Sequence, residues 1–357
     1  MATEEQVRES LNEVLVAGPV RSLAMLNLVR GVTVSKQKVS ITLASTALNK
    51  EAQDWVRTKT KALVEKLPDV KEVEVEFTEV KPGELNQVSH VIAVMSGKGG
   101  VGKSLVSSLT AVALKRQGYE VGILDADITG PTIPKMFGIT TRPSGSNTGI
   151  LPVASKTGIE VISMNLLLPQ EDVAIIWRGP LLSKAITQFW QDVVWGKLDY
   201  LIVDLPPGTA DASLTVLQSV PVSGVIIVFT PQDLTFMIVR KAVSMAKRMN
   251  KPILGVVENM SYLYVPEINK RIELFGKSKG QKMAQAVEAP LLGQLPIDPE
   301  LAKLCDEGEI ESYNSDAFTS MAQAISQVLS KIVSAKEGGL PPTSGSAREE
   351  QIGKGEK

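Results

Sequence analysis

The chain has 357 residues, enough for two domains with a sizeable core, and 38 lysines and arginines against 39 aspartates and glutamates leave a formal charge of −1. The first 86 residues carry no basic excess either, which disfavours a nucleic-acid surface. One cysteine, Cys305, rules out an intrachain disulfide and a cysteine-pair metal site within one chain, and no apolar run reaches the ~18 residues of a membrane span.

The first residues, Met1 to Gln6, are acidic where a signal peptide is basic and then apolar, so a cytoplasmic, reducing setting is expected, with no membrane partner. Residues 4–16 read as a helix. Leu26 to Leu43 holds two alternating segments, with Gly31 between them and the polar turn Ser35-Lys36-Gln37-Lys38 before the second strand, Val39 to Leu43. Leu48 to Leu67 is a long amphipathic helix ended by Pro68, and Val70 to Phe77 alternates with glutamates on its wet face. This α-β-β-α-β unit is a small α+β domain over residues 1–80, and 81–89 is its linker.

From His90 onward, apolar strands alternate with helices, the pattern of an α/β fold with a mainly parallel sheet covered on both faces. The strands expected are Val91–Met95, Val121–Leu124, Glu160–Ser163, Tyr200–Val203, Gly224–Phe229 and Ile253–Val257. Helices fit at Ser104–Gln117, Leu181–Val194, Ala212–Ser219 and Leu234–Met249. This domain spans 90–333. Residues 334–357 hold five glycines, two prolines and no aromatic residue, a composition read as a disordered tail.

Residues Gly97-Lys98-Gly99-Gly100-Val101-Gly102-Lys103-Ser104 match G-x-x-x-x-G-K-[ST], set between a strand and the start of a helix. The glycines let successive N–H groups turn inward around phosphates; Lys103 adds a charge at the β and γ phosphates; Ser104 offers a hydroxyl to Mg²⁺. The predicted nucleotide-binding set is Gly97 through Leu105. The same glycines also satisfy the dinucleotide pattern G-x-G-x-x-G, with Asp125 near the place of a ribose-binding acid, but Lys103-Ser104 argues for the phosphate loop. Tyr200 to Asp204 is a strand ending in a carboxylate for the magnesium shell, and the turn-rich Leu205-Pro206-Pro207-Gly208-Thr209 follows, where the Gly208 N–H would sense a γ-phosphate. Asp125 and Asp127 close another strand. Asp125 is assigned to the metal surroundings and Asp127 to the attacking water, with turn capping as the other reading of either. Lys98 is assigned to a γ-phosphate in a facing subunit, as a lysine counterpart of a trans-acting arginine finger, with a solvated loop lysine as the other reading.

These residues together resemble the deviant Walker A ATPases, the group of MinD, ParA and the nitrogenase iron protein. Asp125 to Pro131, Trp177-Arg178-Gly179-Pro180, Asp204 to Thr209 and Glu258-Asn259-Met260-Ser261-Tyr262 narrow the likeness to the Mrp (ApbC) family of iron–sulfur cluster carrier ATPases, from about His90 to about Met321. The unit before it is similar to the small domain often fused in front of Mrp proteins. The resemblance implies a P-loop fold, ATP with Mg²⁺, slow hydrolysis, a homodimer crossed by Lys98, an adenine contact from Asn259, and iron–sulfur assembly or target apoproteins as partners.

The family's Cys-Pro-x-Cys pair, which binds a bridging [4Fe–4S] cluster, is replaced here by Val265-Pro266-Glu267-Ile268. Valine and isoleucine thus stand at both ligand positions, and the Cys305 of each subunit would supply half of the usual four thiolates. Smaller departures are Ala210 for a glycine and Leu181 for a methionine. Cys305 reads as a semi-buried helical cysteine, His90 as a linker or strand-edge residue, and Trp177, Trp190 and Trp195 as packing on the sheet or at a dimer surface. Two other readings stand beside cluster transfer: a MinD/ParA-like nucleotide-gated scaffold without metal cargo, and a pseudo-carrier competing with an intact relative.

Overall fold

The structure is a computed structural model that describes residues 2–16, 21–127, 130, 132–167, 179–208 and 211–337. Helix α1 (Glu4–Ser10) opens on a reciprocal cap: the Gln6 N–H donates to the Thr3 hydroxyl at 3.2 Å, and the Thr3 N–H donates to Gln6 Oε1 at 3.0 Å. The helix expected over 4–16 stops at Ser10. Leu11–Glu13 tightens into a 3₁₀ turn, and Leu15–Val16 is extended and pairs with Arg21–Ser22. Val14 and Val16 are buried while Leu15 is exposed, a period of two that a helix cannot serve.

Strands β1 (Val29–Ser35) and β2 (Lys38–Ala44) form a hairpin whose turn holds Lys36 at φ +54°. Gly31, expected between two segments, lies inside β1 at a shift of register. Helix α2 (Lys50–Val64) is capped by Asn49, whose side chain accepts from the Ala52 N–H at 2.8 Å, and it returns the chain so that β3 (Glu72–Thr78) runs parallel to β2. Val73 and Val75 point inward and Glu72, Glu74 and Glu76 outward. The stretch expected as a linker is ordered structure: Pro82–Leu85 forms one helical turn, and the next strand, β4 (Gln87–Ser96), already starts at Gln87. Its first residues, Gln87-Val88-Ser89, carry a single apolar side chain and are exposed at Gln87 and Ser89, so no apolar run marks them.

The large sheet has eight strands: β4 (Gln87–Ser96), β5 (Val121–Asp125), β6 (Val153–Ala154), β7 (Glu160–Ser163), β8 (Lys197–Asp204), β9 (Gly224–Phe229), β10 (Ile253–Glu258) and β11 (Leu291–Gln294). Their order is β6-β7-β5-β8-β4-β9-β10-β11, parallel throughout except for β6. The edge strands β6 and β11 were not expected, being short and rich in small or polar residues. Helices α3 (Lys103–Arg116), α8 (Pro299–Glu307) and α9 (Asp316–Glu337) cover one face, with Leu109, Val112, Leu301, Met321 and Ile325 in the core. Helices α4 (Gly179–Asp192), α5 (Asp211–Ser219), α6 (Asp233–Arg248) and α7 (Gly280–Val287) cover the other. Helix α9 carries on through Glu337, past the start assigned to the tail; 338–357 lie outside the described residues, as do Ile128, Thr129, Pro131, Trp177, Arg178, Thr209 and Ala210. Among the described residues no helix is long and apolar enough to cross a membrane.

His90 is not at the edge of the domain but buried within β4, its ring stacked on Tyr200 at 5.5 Å. Trp195 is fully buried, and Cys305 sits half-buried on α8. The core around the small sheet continues onto Leu151 and Val194, so the N-terminal unit packs against the turn that leads into β8. There Gly196 has φ +61°, and a Cβ would stand 2.4 Å from the Met25 carbonyl oxygen and 2.7 Å from Leu26 Cα. Gly196→Ala is expected to cost about 2–4 kcal/mol, read as a lower urea midpoint at unchanged slope; a wild-type midpoint would mean that the contact yields freely.

Candidate functional site

The parallel strands β4, β5, β7, β8 and β10 all end on one edge of the sheet, and their last residues build the site. β4 stops at Ser96, whose hydroxyl donates to the Lys98 carbonyl at 3.0 Å and turns the chain into the phosphate loop. Val101, 1% exposed, pins the loop to the core, and Leu105 packs partly against the same core. Gly102 leads into α3 at φ +81°, and a Cβ there would lie 2.1 Å from Asn259 Nδ2. Any other residue would have to displace the neighbour that supports the loop. Helix α3 is buried on most sides, which keeps its N-terminus and the loop's free N–H groups fixed in place.

Lys103 is 5% exposed, and its ammonium lies 2.7 Å from Asp204 Oδ2 and 3.5 Å from Asp127 Oδ2. Asp204, fully buried at the end of β8, also accepts from the Ser104 hydroxyl at 2.6 Å and from the Ser107 hydroxyl at 2.7 Å. Asp125 ends β5 and accepts from Ser163 Oγ at 3.0 Å and from the Asp127 N–H at 3.2 Å. Burial, with Asp204 and Asp127 adding to it, holds the Asp125 carboxyl well above the usual carboxylate range, although Lys103 and Ser163 pull the other way. One buried ammonium thus faces a carboxylate at the end of β8 and another just past β5, and the Ser104 hydroxyl lies 3.5 Å from it. Hard oxygen donors beside a phosphate cradle fit Mg²⁺, which is usually held by one or two carboxylates and substrate phosphates.

Three of the expected roles meet a prior partner. The Gly208 N–H donates to the Ser96 carbonyl at 3.0 Å, Asn259 Nδ2 donates to the Val101 carbonyl at 2.9 Å from a position 1% exposed, and the Lys98 ammonium donates to Gln232 Oε1 of its own chain. A nucleotide or a facing subunit would have to exchange these bonds.

Sequence reasoning missed Ser107, Ser163, Gln232 and Glu258. Ser104 and Ser107 are three apart on α3, a spacing that puts both hydroxyls on Asp204 and was readable in advance. Ser163 and Gln232 carried no sequence signal. Glu258, fully buried, accepts from Ser261 Oγ at 2.7 Å, Ser278 Oγ at 2.6 Å, the Lys279 N–H at 2.7 Å and Gln294 Nε2 at 2.8 Å. It closes the neck of the excursion that holds the Leu263–Val265/Lys270–Ile272 hairpin. The Val265-Pro266-Glu267-Ile268 segment forms the tip, with Val265 half-buried and Ile268 62% exposed. Neither side chain can ligate iron, and burial pushes the Cys305 thiol up to about 11, away from the thiolate a metal needs.

Residues 87–333 match a family model described as NUBPL iron-transfer P-loop NTPase, and residues 4–77 match one described as iron–sulfur cluster assembly protein. The iron–sulfur cluster carrier protein of Aquifex aeolicus is 46% identical over 250 residues, 68% of this chain and 68% of that protein. That of a Synechocystis species is 38% identical over 347 residues, 91% of this chain and 97% of the relative. Among solved structures, a nucleotide-binding protein of Archaeoglobus fulgidus in complex with ADP is 44% identical, covers 66% of this chain and 94% of its own, and has a TM-score of 0.60.

Burial alone would raise the Glu258 carboxyl, but its hydrogen bonds outweigh burial and hold it below the usual range. Its contribution to stability is therefore full above the ordinary glutamate value of 4.5 and is lost as pH falls through the lowered native value. Glu258→Gln is expected to cost about 2 kcal/mol at neutral pH, with the gap to wild type closing in acid-titrated urea melts; a pH-independent gap would assign the loss to shape rather than charge.

Proposed function

Because the chain belongs to the NUBPL iron-transfer P-loop NTPase family, we propose that it is a cytoplasmic, slow Mg²⁺-dependent ATPase whose homodimer closes on ATP and reopens after hydrolysis. The observation that carries this reading is the buried Lys103–Asp204–Ser104 cluster at the start of α3. On binding, the triphosphate takes the loop's N–H groups and the Lys103 ammonium. Asp204 and Ser104, with Asp125 beside them, would hold Mg²⁺, which would supply charge neutralisation for phosphoryl transfer.

Asp127 holds the attacking water and takes its proton as the water oxygen bonds to the γ-phosphorus. The bond from that phosphorus to the β–γ bridging oxygen breaks, giving ADP and inorganic phosphate. Lys98 leaves Gln232 and stabilises the γ-phosphate charge in the partner subunit. Asn259 sits under the loop, where its side chain can turn to the adenine, and Gly208 releases Ser96 to read the γ-phosphate. The N-terminal unit, residues 1–80, serves as an adaptor to iron–sulfur assembly or target apoproteins.

The cargo is iron–sulfur assembly by family, but the chain does not hold a cluster at the hairpin tip, since Val265 and Ile268 offer no thiolate. That same replacement favours, as the second reading, a MinD/ParA-like nucleotide-gated scaffold with no metal cargo. Anaerobic reconstitution with iron and sulfide tests direct cluster carriage, which both readings exclude. We expect no stoichiometric iron on the chain alone; about four irons per dimer would restore direct carriage.

Lys103→Ala is expected to abolish nucleotide binding by equilibrium dialysis. Lys98→Ala should bind ATP normally yet hydrolyse at least about tenfold more slowly, and unchanged turnover would remove its role in trans. Asp127→Asn should keep ATP affinity and lower kcat by about 100-fold; loss of affinity instead would move Asp127 into the metal shell.

A further inference from the structure

The N-terminal unit meets the large sheet at the ends of the strands opposite to the nucleotide site. The Lys197 N–H donates to the Met25 carbonyl at 2.8 Å across this contact. Arg21, 4% exposed, reaches into it: Nη1 donates to the Trp195 carbonyl at 2.8 Å, and Nη2 donates to the Lys197 carbonyl at 2.7 Å and the Met25 carbonyl at 3.4 Å. Its Nε stands 3.6 Å from Glu160 Oε1, and Glu160 is fully buried. One guanidinium therefore touches the first residues of β7 and β8 together.

Both strands finish at the nucleotide site. β7 runs from Glu160 to Ser163, which donates to Asp125, and β8 runs from Lys197 to Asp204, which holds Lys103, Ser104 and Ser107. At about 3.3 Å per residue, the path from the Arg21 contact to the Asp125 support is about 10 Å along β7, and that to Asp204 is about 23 Å along β8. Strands buried in a sheet are stiff along their length, so a shift at one end is carried to the other.

The joint also has reason to move. Arg21 Nε, both Glu160 carboxyl oxygens and Trp195 Nε1 are buried without a hydrogen-bond partner among the described residues. A fully satisfied network has one good arrangement; a partly satisfied one gives up less when it rearranges. Burial raises the Glu160 carboxyl to about 8, with Glu120 adding to it and Arg21 and Lys115 opposing, so near neutral pH the guanidinium is held mainly by main-chain carbonyls of the opposing unit. Carbonyl contacts report backbone position directly.

We propose that Arg21 is a positioning residue through which the N-terminal unit and the Mg²⁺-nucleotide site sense each other: docking of the unit fixes the starts of β7 and β8, and through them the carboxylates Asp125 and Asp204. This rests on the assignment of those carboxylates to the magnesium surroundings. It makes the adaptor unit part of the switch, because whatever pulls on it must alter the nucleotide site, and by thermodynamic reciprocity nucleotide must alter the docking.

The test uses the full chain with a fluorescent ADP analogue titrated at a series of Mg²⁺ concentrations, comparing wild type with Arg21→Ala and Arg21→Lys. The Mg²⁺ needed for half-maximal nucleotide binding should rise about fivefold or more in Arg21→Ala, at a temperature where circular dichroism shows the variant folded. Lysine should restore part of it. A residue that only stabilises the fold would lower the melting temperature and leave the Mg²⁺ dependence alone; that result overturns the proposal. Should Arg21→Ala not fold, hydrogen exchange on the wild type decides: Mg²⁺-ADP must change protection of peptides spanning 21–28 and 195–200, and no change there overturns the joint. A wild type that binds no nucleotide overturns both the joint and the functional reading, whereas wild-type binding with an unaltered variant overturns the joint alone.

Discussion

A buried ammonium has to be answered by a buried carboxylate, and the pairing of Lys103 with Asp204 answers it at the point where α3 leaves the sheet. Without Asp204 the lysine would face a heavy desolvation cost, and without the lysine Asp204 would stand as a charge in the core. The hydroxyls of Ser104 and Ser107 complete the carboxylate, so β8 and α3 are locked in register by charge and hydrogen bonds together. That lock fixes the start of α3, and with it the end of the phosphate loop, against the end of β8.

The rest of the site is arranged around this pair by the parallel sheet. Parallel strands deliver all their last residues to one edge, so Ser96, Asp125, Ser163, Asp204 and Glu258, far apart in sequence, come to one end of the sheet. The Glu258-Asn259 step is the most economical instance. Glu258 closes the neck of the hairpin excursion while Asn259, the next residue, supports Val101 and lies against Gly102.

Much of the fold was legible because its signals are local. Uniform apolar runs marked the central strands β4, β5, β7, β8, β9 and β10, and helical spacing marked α2, α3, α4, α5 and α6. The errors share a cause. β4 opens on the exposed polar residues Gln87 and Ser89, β6 and β11 are short edge strands, and the Leu11–Val16 segment changes period where it pairs with Arg21–Ser22; in each, strand pairing outweighs residue preference. His90 and Trp195 were misjudged or left open for the same reason, since their burial comes from segments distant in sequence.

By itself, the sequence determined the chemistry of the loop, the α/β class, the carboxylates that end β5 and β8, and the absence of cysteines from the Met260–Ile268 segment, because each is a property of residue type at fixed short spacing. Only the tertiary structure decided that Ser163 props Asp125, that Gln232 holds Lys98, that Glu258 ties four donors at a neck, and that Arg21 joins the N-terminal unit to β7 and β8. Those partners come from segments far apart along the chain. Their meeting depends on strand order and helix packing, which no local pattern of residues encodes.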